Sequence, residues 1–331
     1  MGRTSYDLDR QSAMKKRTMV SALLIFIAIP LTIALGTVVF NGARYMIISI
    51  AVLIYTMLPF FMVFEKRKPK AREIVLIAMM TAITVCAHLL LHVIVPIQIG
   101  TALVIIAGIS MGPEAGFLVG TMTRFVCNFY MGQGPWTPWQ MFCWGLLGFL
   151  AGLAFNKAEP MRTKGAEMLF NAQELESRAE TSKERKFSVV MGPVLCIAFT
   201  EVIAYISFIF VPGADETFGG WRIYVFGAVG LLLGLIFQRK RLPVDNITIT
   251  VFTFVTTLII YGGIINICAM FTSAGIPGGN DISFNTLRLL YVSGLPFDIS
   301  HAATASLCIF VMGNPMIRKI ERIKIKYGIY R

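Results

Sequence analysis

The 331-residue chain is 56% hydrophobic and only 15% charged, with a formal net charge of +12. Soluble domains average about 45–50% apolar and about 25% charged, so the composition excludes a disordered chain, a collagen-like fibre and a secreted disulfide scaffold, and leaves an all-α, polytopic membrane protein. In a soluble protein such a basic balance would suggest nucleic acid. Here the basic residues fall between apolar runs, so they are read as orientation signals and no nucleic-acid partner is expected.

Taken in chain order, Lys15, Lys16 and Arg17 precede an apolar run from Thr18 to Phe40. That run is too long for a signal-peptide core, and no small-residue cleavage site ends it, so it is expected to remain as a first span. Further runs fall at 45–64, 73–95, 99–112, 114–131, 138–155, 188–211, 221–238, 246–271 and 295–312. At about 20 residues per crossing, they predict about ten transmembrane helices. The fourth run is short and stops at Gly112-Pro113.

The basic residues then orient the chain. Five lie in the N-terminal tail, five in 65–72, seven in 156–187, three in 239–245 and six in the C-terminal tail, 26 of the 30 Lys and Arg. Ten spans place all five segments on one side. The positive-inside rule makes that side cytoplasmic, with both termini inside. The opposite segments are short, poor in charge and rich in Gly and aromatics, as in Gly132-Gln133-Gly134-Pro135-Trp136-Thr137-Pro138-Trp139 and Ile276-Pro277-Gly278-Gly279-Asn280-Asp281. Trp136, Trp139 and Trp221 stand at span ends, where indoles also serve as interface anchors. Residues 158–186 form the one sizeable soluble piece, read as a cytoplasmic loop with a short surface helix.

An internal echo links Trp144–Phe155 with Phe226–Phe237, identical at six of twelve positions. Each has a Trp five residues upstream, and each preceding span opens on Gly-Pro, Gly112-Pro113 and Gly192-Pro193. The segment 188–238 therefore reads as a second copy of the 112–155 hairpin, or as convergence of Gly-rich membrane helices. Both copies run in the same direction, unlike an inverted transporter repeat.

Catalytic patterns are scarce. No G-x-x-x-x-G-K-[ST] loop is present to cradle phosphates, and no acidic pair or H-E-x-x-H lies on a span. The six cysteines sit singly inside apolar runs, so no zinc site, disulfide framework or other metal centre is expected. Gly108-Ile109-Ser110-Met111-Gly112 has the form of a nucleophile elbow. Ser110, however, falls at the cytoplasmic end of its span, away from His88, His92 and His301, and a nucleophilic Ser needs a base in reach.

Ionisable residues at membrane depth are costly and mark function by default. Here they are His88, His92, Arg124, Glu201, Asp298 and His301. Structural alternatives are an Arg124–Glu201 pair and Asp298 capping a helix opened by Pro296. Together they suggest a mostly apolar pocket with a few polar groups, open to the outside. It is expected between the third, fifth, ninth and tenth spans, under the loops 132–140 and 272–284. Its expected lining is His92, Asn128, Gln133, Trp136, Trp139, Gln140, Asn280 and Asp298: flat indoles for a ring system and amides that both donate and accept. Ala78-Met79-Met80-Thr81-Ala82 on the third span is a small-xxx-small motif that lets another helix approach closely.

Residues Arg72 to Phe155, with the loop Gly132–Met141, and the end from Gly294-Leu295-Pro296-Phe297-Asp298 through Gly313-Asn314-Pro315 to Lys324 resemble the substrate-binding S components of energy-coupling factor (ECF) vitamin transporters. The resemblance implies a bacterial cell-membrane protein with a six-helix core, here carrying two extra pairs of helices. It divides the chain into 1–72, a basic tail and two extra helices; 73–155, the first part of the core; 156–187, the cytoplasmic loop; 188–245, an extra hairpin; and 246–331, the final core helices and basic tail. It implies a non-enzymatic subunit that captures a vitamin-like small molecule, with a cobalamin-type ligand favoured. The expected partners are a transmembrane T component, docked at Ala78 and Ala82, and two ATPase subunits. ATP is then used by the partners, and this chain carries no cofactor. A stand-alone secondary transporter coupled through Glu201, or a membrane enzyme using Ser110, are the alternatives.

Overall fold

The computed structural model describes residues 20, 23–40, 45–64, 71–94, 97–155, 193–210, 217–237, 242–274 and 278–327. Among these residues there are ten helices, one at each expected span, and no strand. Helix α1 opens with a π-helical turn, Leu24–Ala28, and continues through Ile29–Phe40; α2 is Tyr45–Phe64 and α3 Ala71–Ile94. Helices α4 (Ile99–Met111), α5 (Pro113–Met131) and α6 (Thr137–Ala154) follow. Then come α7 (Pro193–Phe210), α8 (Trp221–Phe237), α9, which runs from Asn246 to Ala274 through a π turn at Thr257–Gly262, and α10 (Phe284–Lys326). The basic N-terminal tail and the 156–187 loop lie outside the described residues.

Four helices are long and apolar enough to cross a membrane: Ala71–Leu91, Pro193–Phe210, Asn246–Ala274 and Phe284–Lys326. Shorter apolar helices accompany them at Leu24–Gly36, Met46–Tyr55, Ile99–Met111 and Trp221–Ile236. Large apolar side chains such as Leu90, Phe210, Ile236, Leu307 and Val311 face outward, as they must where the solvent is hydrocarbon. The chain is a multi-pass membrane protein.

The centre of the fold is the trio α4, α5 and α6. All thirteen residues of α4 are buried. Glycines let the three backbones touch: a Cβ at Gly116 would fall 2.5 Å from Gly108 Cα, and one at Gly152 would fall 2.6 Å from Pro113 Cα. Small interfacial residues are how membrane helices gain van der Waals contact when lipid is as apolar as leucine. Gly112, at φ +99°, turns α4 directly into α5, a conformation that L side chains rarely adopt. Pro113 follows at the start of α5, where its missing N–H costs nothing.

Helices α3, α9 and α10 surround this trio, α1 and α2 pack on the α5–α6 face, and α8 packs against the π turn of α9. The α7–α8 pair repeats the glycine contacts of α5–α6. Gly234 lies against Pro193 as Gly152 lies against Pro113, and Gly230 lies against Cys196 and Ile197 as Gly148 lies against Gly116.

Helix α10 departs from expectation. It starts at Phe284, eleven residues before the expected span, with Ser283 as its cap; the Ser283 hydroxyl accepts from Thr286 N–H at 3.2 Å. Pro296 therefore lies inside the helix, as does Pro315, and Asp298 caps nothing. An interior proline costs about 3 kcal/mol in an isolated helix, but neighbouring helices cover the freed carbonyl in a membrane bundle. At about 1.5 Å per residue the 43-residue helix exceeds the roughly 30 Å hydrocarbon core twofold, and carries Arg318, Lys319, Arg322, Lys324 and Lys326 beyond it.

Those basic residues gather at one end of the molecule with the ends of the other helices. Arg72 donates to the Tyr327 carbonyl at 3.1 Å, and buried Lys324 donates to the Ser110 carbonyl at 2.5 Å and pairs with Glu321 at 2.6 Å. Leu242 N–H donates to Ala154 O at 2.7 Å, which holds the start of α9 to the end of α6. The segments 132–136, 217–220 and 278–283, with Asp281 as their single charge, lie at the opposite end.

Candidate functional site

Helices α5 and α6 are joined by only five residues, 132–136. Side chains one to two turns inside each helix therefore meet. Arg124 and Asn128 lie four residues apart on one face of α5, and Gln140 lies one turn into α6. The Gln140 Oε1 accepts from Arg124 Nε at 2.9 Å and from Asn128 Nδ2 at 3.0 Å. Asn128 Nδ2 also donates to Thr137 Oγ1 at 3.1 Å. Thr137 in turn donates to Gln133 Oε1 at 2.9 Å, and Gln133 Nε2 donates to the Phe125 carbonyl at 3.3 Å.

The network continues into α3 and α6. Arg124 Nη1 lies 3.3 Å from His88 Nε2. A guanidinium only donates, so His88 accepts. The same guanidinium lies over the Trp144 ring at 5.4 Å, and His88 meets that ring edge-on at 4.9 Å. Gly100 makes room for both: a Cβ there would stand 2.5 Å from the Trp144 ring and 3.1 Å from His88. On the far side His301 of α10 shares a hydrogen bond with Thr101 Oγ1 at 2.9 Å and packs edge-on against Tyr261 of the α9 π turn at 4.4 Å.

Several buried polar atoms here meet no hydrogen-bond partner among the described residues: Asn128 Oδ1, Trp139 Nε1, Trp144 Nε1 and His301 Nδ1. Buried polar atoms are overwhelmingly paired in folded proteins, so a cluster of exceptions marks a place where a further molecule would be satisfied.

A second polar cluster adjoins the first, one turn away on α10. Asp298 Oδ2 accepts from Tyr224 Oη of α8 at 2.5 Å and from Asn266 Nδ2 of α9 at 2.8 Å. Tyr224 stacks on Tyr291 at 4.4 Å, and Tyr291 donates to the Gly263 carbonyl at 3.2 Å. Gly262 gives Asp298 its space; a Cβ there would lie 2.7 Å from the carboxyl carbon. This cluster ties the α7–α8 pair to the core.

Of the residues expected to line a pocket, Asn128, Gln133 and Gln140 are brought into one network. Trp139 is buried and stacks on Phe271 at 5.8 Å. Trp136 is 42% exposed, with its indole N–H on the Gly132 carbonyl at 3.3 Å. Asn280 is exposed in the segment before α10, and Asp298 is committed to Tyr224 and Asn266. The His92 side chain lies outside the described residues. Arg124 does not pair with Glu201, which faces Gly227 on α8. Ala78 and Ala82 are exposed on α3, on the face opposite Leu76, Ile77 and Met80. Ser110 lies at the basic end, while His88 and His301 belong to the polar network at the other. The described residues contain no group of three or more His, Cys, Asp or Glu able to hold a metal ion. Sequence reasoning missed Gly100, Thr101, Trp144 and Tyr261, all inside apolar runs; the only signal was their small, polar or aromatic character.

No curated protein and no solved structure matches the chain. Residues 68–175, the segment that contains α3 to α6 and with them His88, Arg124, Asn128, Gln133, Gln140 and Trp144, match the family model described as ECF-type riboflavin transporter, S component, so this third of the chain is similar to a transporter subunit.

Proposed function

We propose that the chain is an ECF-type S component that captures a ring-bearing, vitamin-class molecule outside the cell, at the network of Arg124, Asn128, Gln133 and Gln140, with Trp136 and Trp139 at its rim. The observation that carries the reading is a coincidence of position. The segment matched by the family model is the segment that holds the network and most of its unpartnered buried atoms. The family's printed name favours a flat ring of the riboflavin class over the cobalamin-type ligand expected from the resemblance.

Transport then follows from partners. A T component docks on the exposed small residues Ala78 and Ala82, and two ATPases supply the energy; the sequence itself has no phosphate-cradling loop. The extra pairs α1–α2 and α7–α8 pack outside the α3–α6 segment, so they leave the α3 face free. Uptake of radiolabelled riboflavin in cells is the test. The chain expressed with the T component and ATPases should accumulate the label, and the chain alone, or with ATPases disabled at their phosphate-binding lysine, should not. Equal accumulation without the ATPases would make the chain a stand-alone transporter.

A further inference from the structure

We infer that the ligand held at this network carries an acidic group, a carboxylate or a phosphate, that docks against Arg124. The inference rests on the capture function just proposed and names the chemistry of the molecule captured.

Its basis is a charge that the described residues leave unmatched. Arg124 is buried, at 8% exposure. Each of its contacts among the described residues is neutral: the Gln140 amide oxygen, the His88 imidazole, the Met131 sulfur at 3.6 Å and the face of Trp144. Those bonds use Nε and Nη1; Nη2 makes none with the described residues. The nearby acid, Asp298, is taken by Tyr224 and Asn266. Glu201 faces Gly227, and Glu73 and Glu114 lie at the opposite end of the molecule, at the starts of α3 and α5. Burying a charge without an opposite charge is strongly unfavourable.

The unpartnered atoms around Arg124 add a second, independent observation, because they are mostly donors. Trp144 Nε1 can only donate, and its residue is the one over which the guanidinium lies. When the Thr101 hydroxyl donates to His301 Nε2, the His301 Nδ1 carries a proton and is a donor as well. Trp144 and His301 are 1% and 3% exposed. A carboxylate or phosphate offers several acceptor lone pairs and no donor, and its hydrogen bonds to a guanidinium are among the strongest in proteins. Asn128 Oδ1, the one certain unpartnered acceptor here, is left for a donor elsewhere on the ligand.

Paired titrations of the purified full-length chain test this. Calorimetry would compare riboflavin with riboflavin 5′-phosphate, and nicotinamide with nicotinate; each pair shares a ring system and differs in the acidic group. In the pair that binds, the acidic member should bind at least about thirtyfold more tightly, since truncating a desolvated charge pair costs about 2 kcal/mol or more. Arg124→Gln should erase that difference and Arg124→Lys should retain part of it. Should Arg124→Gln fail to fold, the parent pair and the Lys variant decide. Tighter or equal binding of the neutral member, or a preference that survives Arg124→Gln, overturns the inference and leaves Arg124 as a structural cation. Where none of the four probes binds, the charge of the small molecule that co-purifies with the chain decides in the same way. Absence of any bound molecule defeats the capture function itself, and this inference with it.

Discussion

Gln140 is the residue on which the network turns. One amide oxygen serves two buried donors, the Arg124 guanidinium and the Asn128 amide. Gln140→Ala leaves Arg124 Nε unpaired and Asn128 Nδ2 with Thr137 alone, and an orphaned buried donor costs about 1–3 kcal/mol. Thermal unfolding in detergent should therefore shift downward, and calorimetry should show weaker ligand binding. A variant that melts and binds like the parent would show that water replaces the amide at no cost and that Gln140 does not order the site. Much of this was legible in the sequence. Arg124, Asn128 and Gln140 stand out because polar residues at membrane depth are rare, and their i, i+4 and loop spacing put them together. Trp144, Thr101, Gly100 and Tyr261 did not stand out, because an apolar run absorbs such residues without changing its hydropathy. Asp298 was placed in the pocket for its charge alone, and its partners Tyr224 and Asn266 come from helices whose packing no local pattern announces.

The helices themselves were readable wherever hydrophobic length decides the structure, so each of the ten apolar runs holds a helix. The exception is α10. Gly294-Leu295-Pro296 looks like a helix start by the rules of water, where an exposed carbonyl and a missing N–H end the hydrogen-bond ladder. Within the bundle Tyr291 and Gly294 pack against α9, at Gly263 and Asn266, and the helix runs through. The π turn of α9 was equally silent in sequence, yet it positions Tyr261 against His301 and Gly262 against Asp298. Helix α3 is the element with two roles. Its inner face carries His88, and its exposed face carries Ala78 and Ala82. Ala78→Leu or Ala82→Leu should abolish uptake in cells containing the T component while calorimetry on the isolated chain stays near the parent value. A bulky side chain there holds a partner helix away without touching the Arg124 network. Ligand binding that falls as far as uptake would place these alanines in the packing of the fold instead.

At the scale of the whole molecule, charge and chemistry sit at opposite ends. The basic ends of α3, α6, α9 and α10 converge where Arg72 meets Tyr327 and Lys324 meets Ser110. The polar network lies toward the uncharged end. The gathering of the basic ends was legible because Lys and Arg mark them directly. The placement of the extra helices was not. Pairs α1–α2 and α7–α8 pack through apolar and glycine faces, and such faces resemble one another whichever neighbour they meet. With the basic end in the cytoplasm, as the positive-inside rule expects, this division would suit the proposed capture on one side and energy supply from the other. The most direct check is mass spectrometry of the small molecules released when the purified, washed chain is denatured. A single ring-bearing, vitamin-class compound at close to one per chain is the predicted result; a chain that releases no such compound, and binds none of the riboflavin and nicotinate probes in calorimetry, would contradict the account.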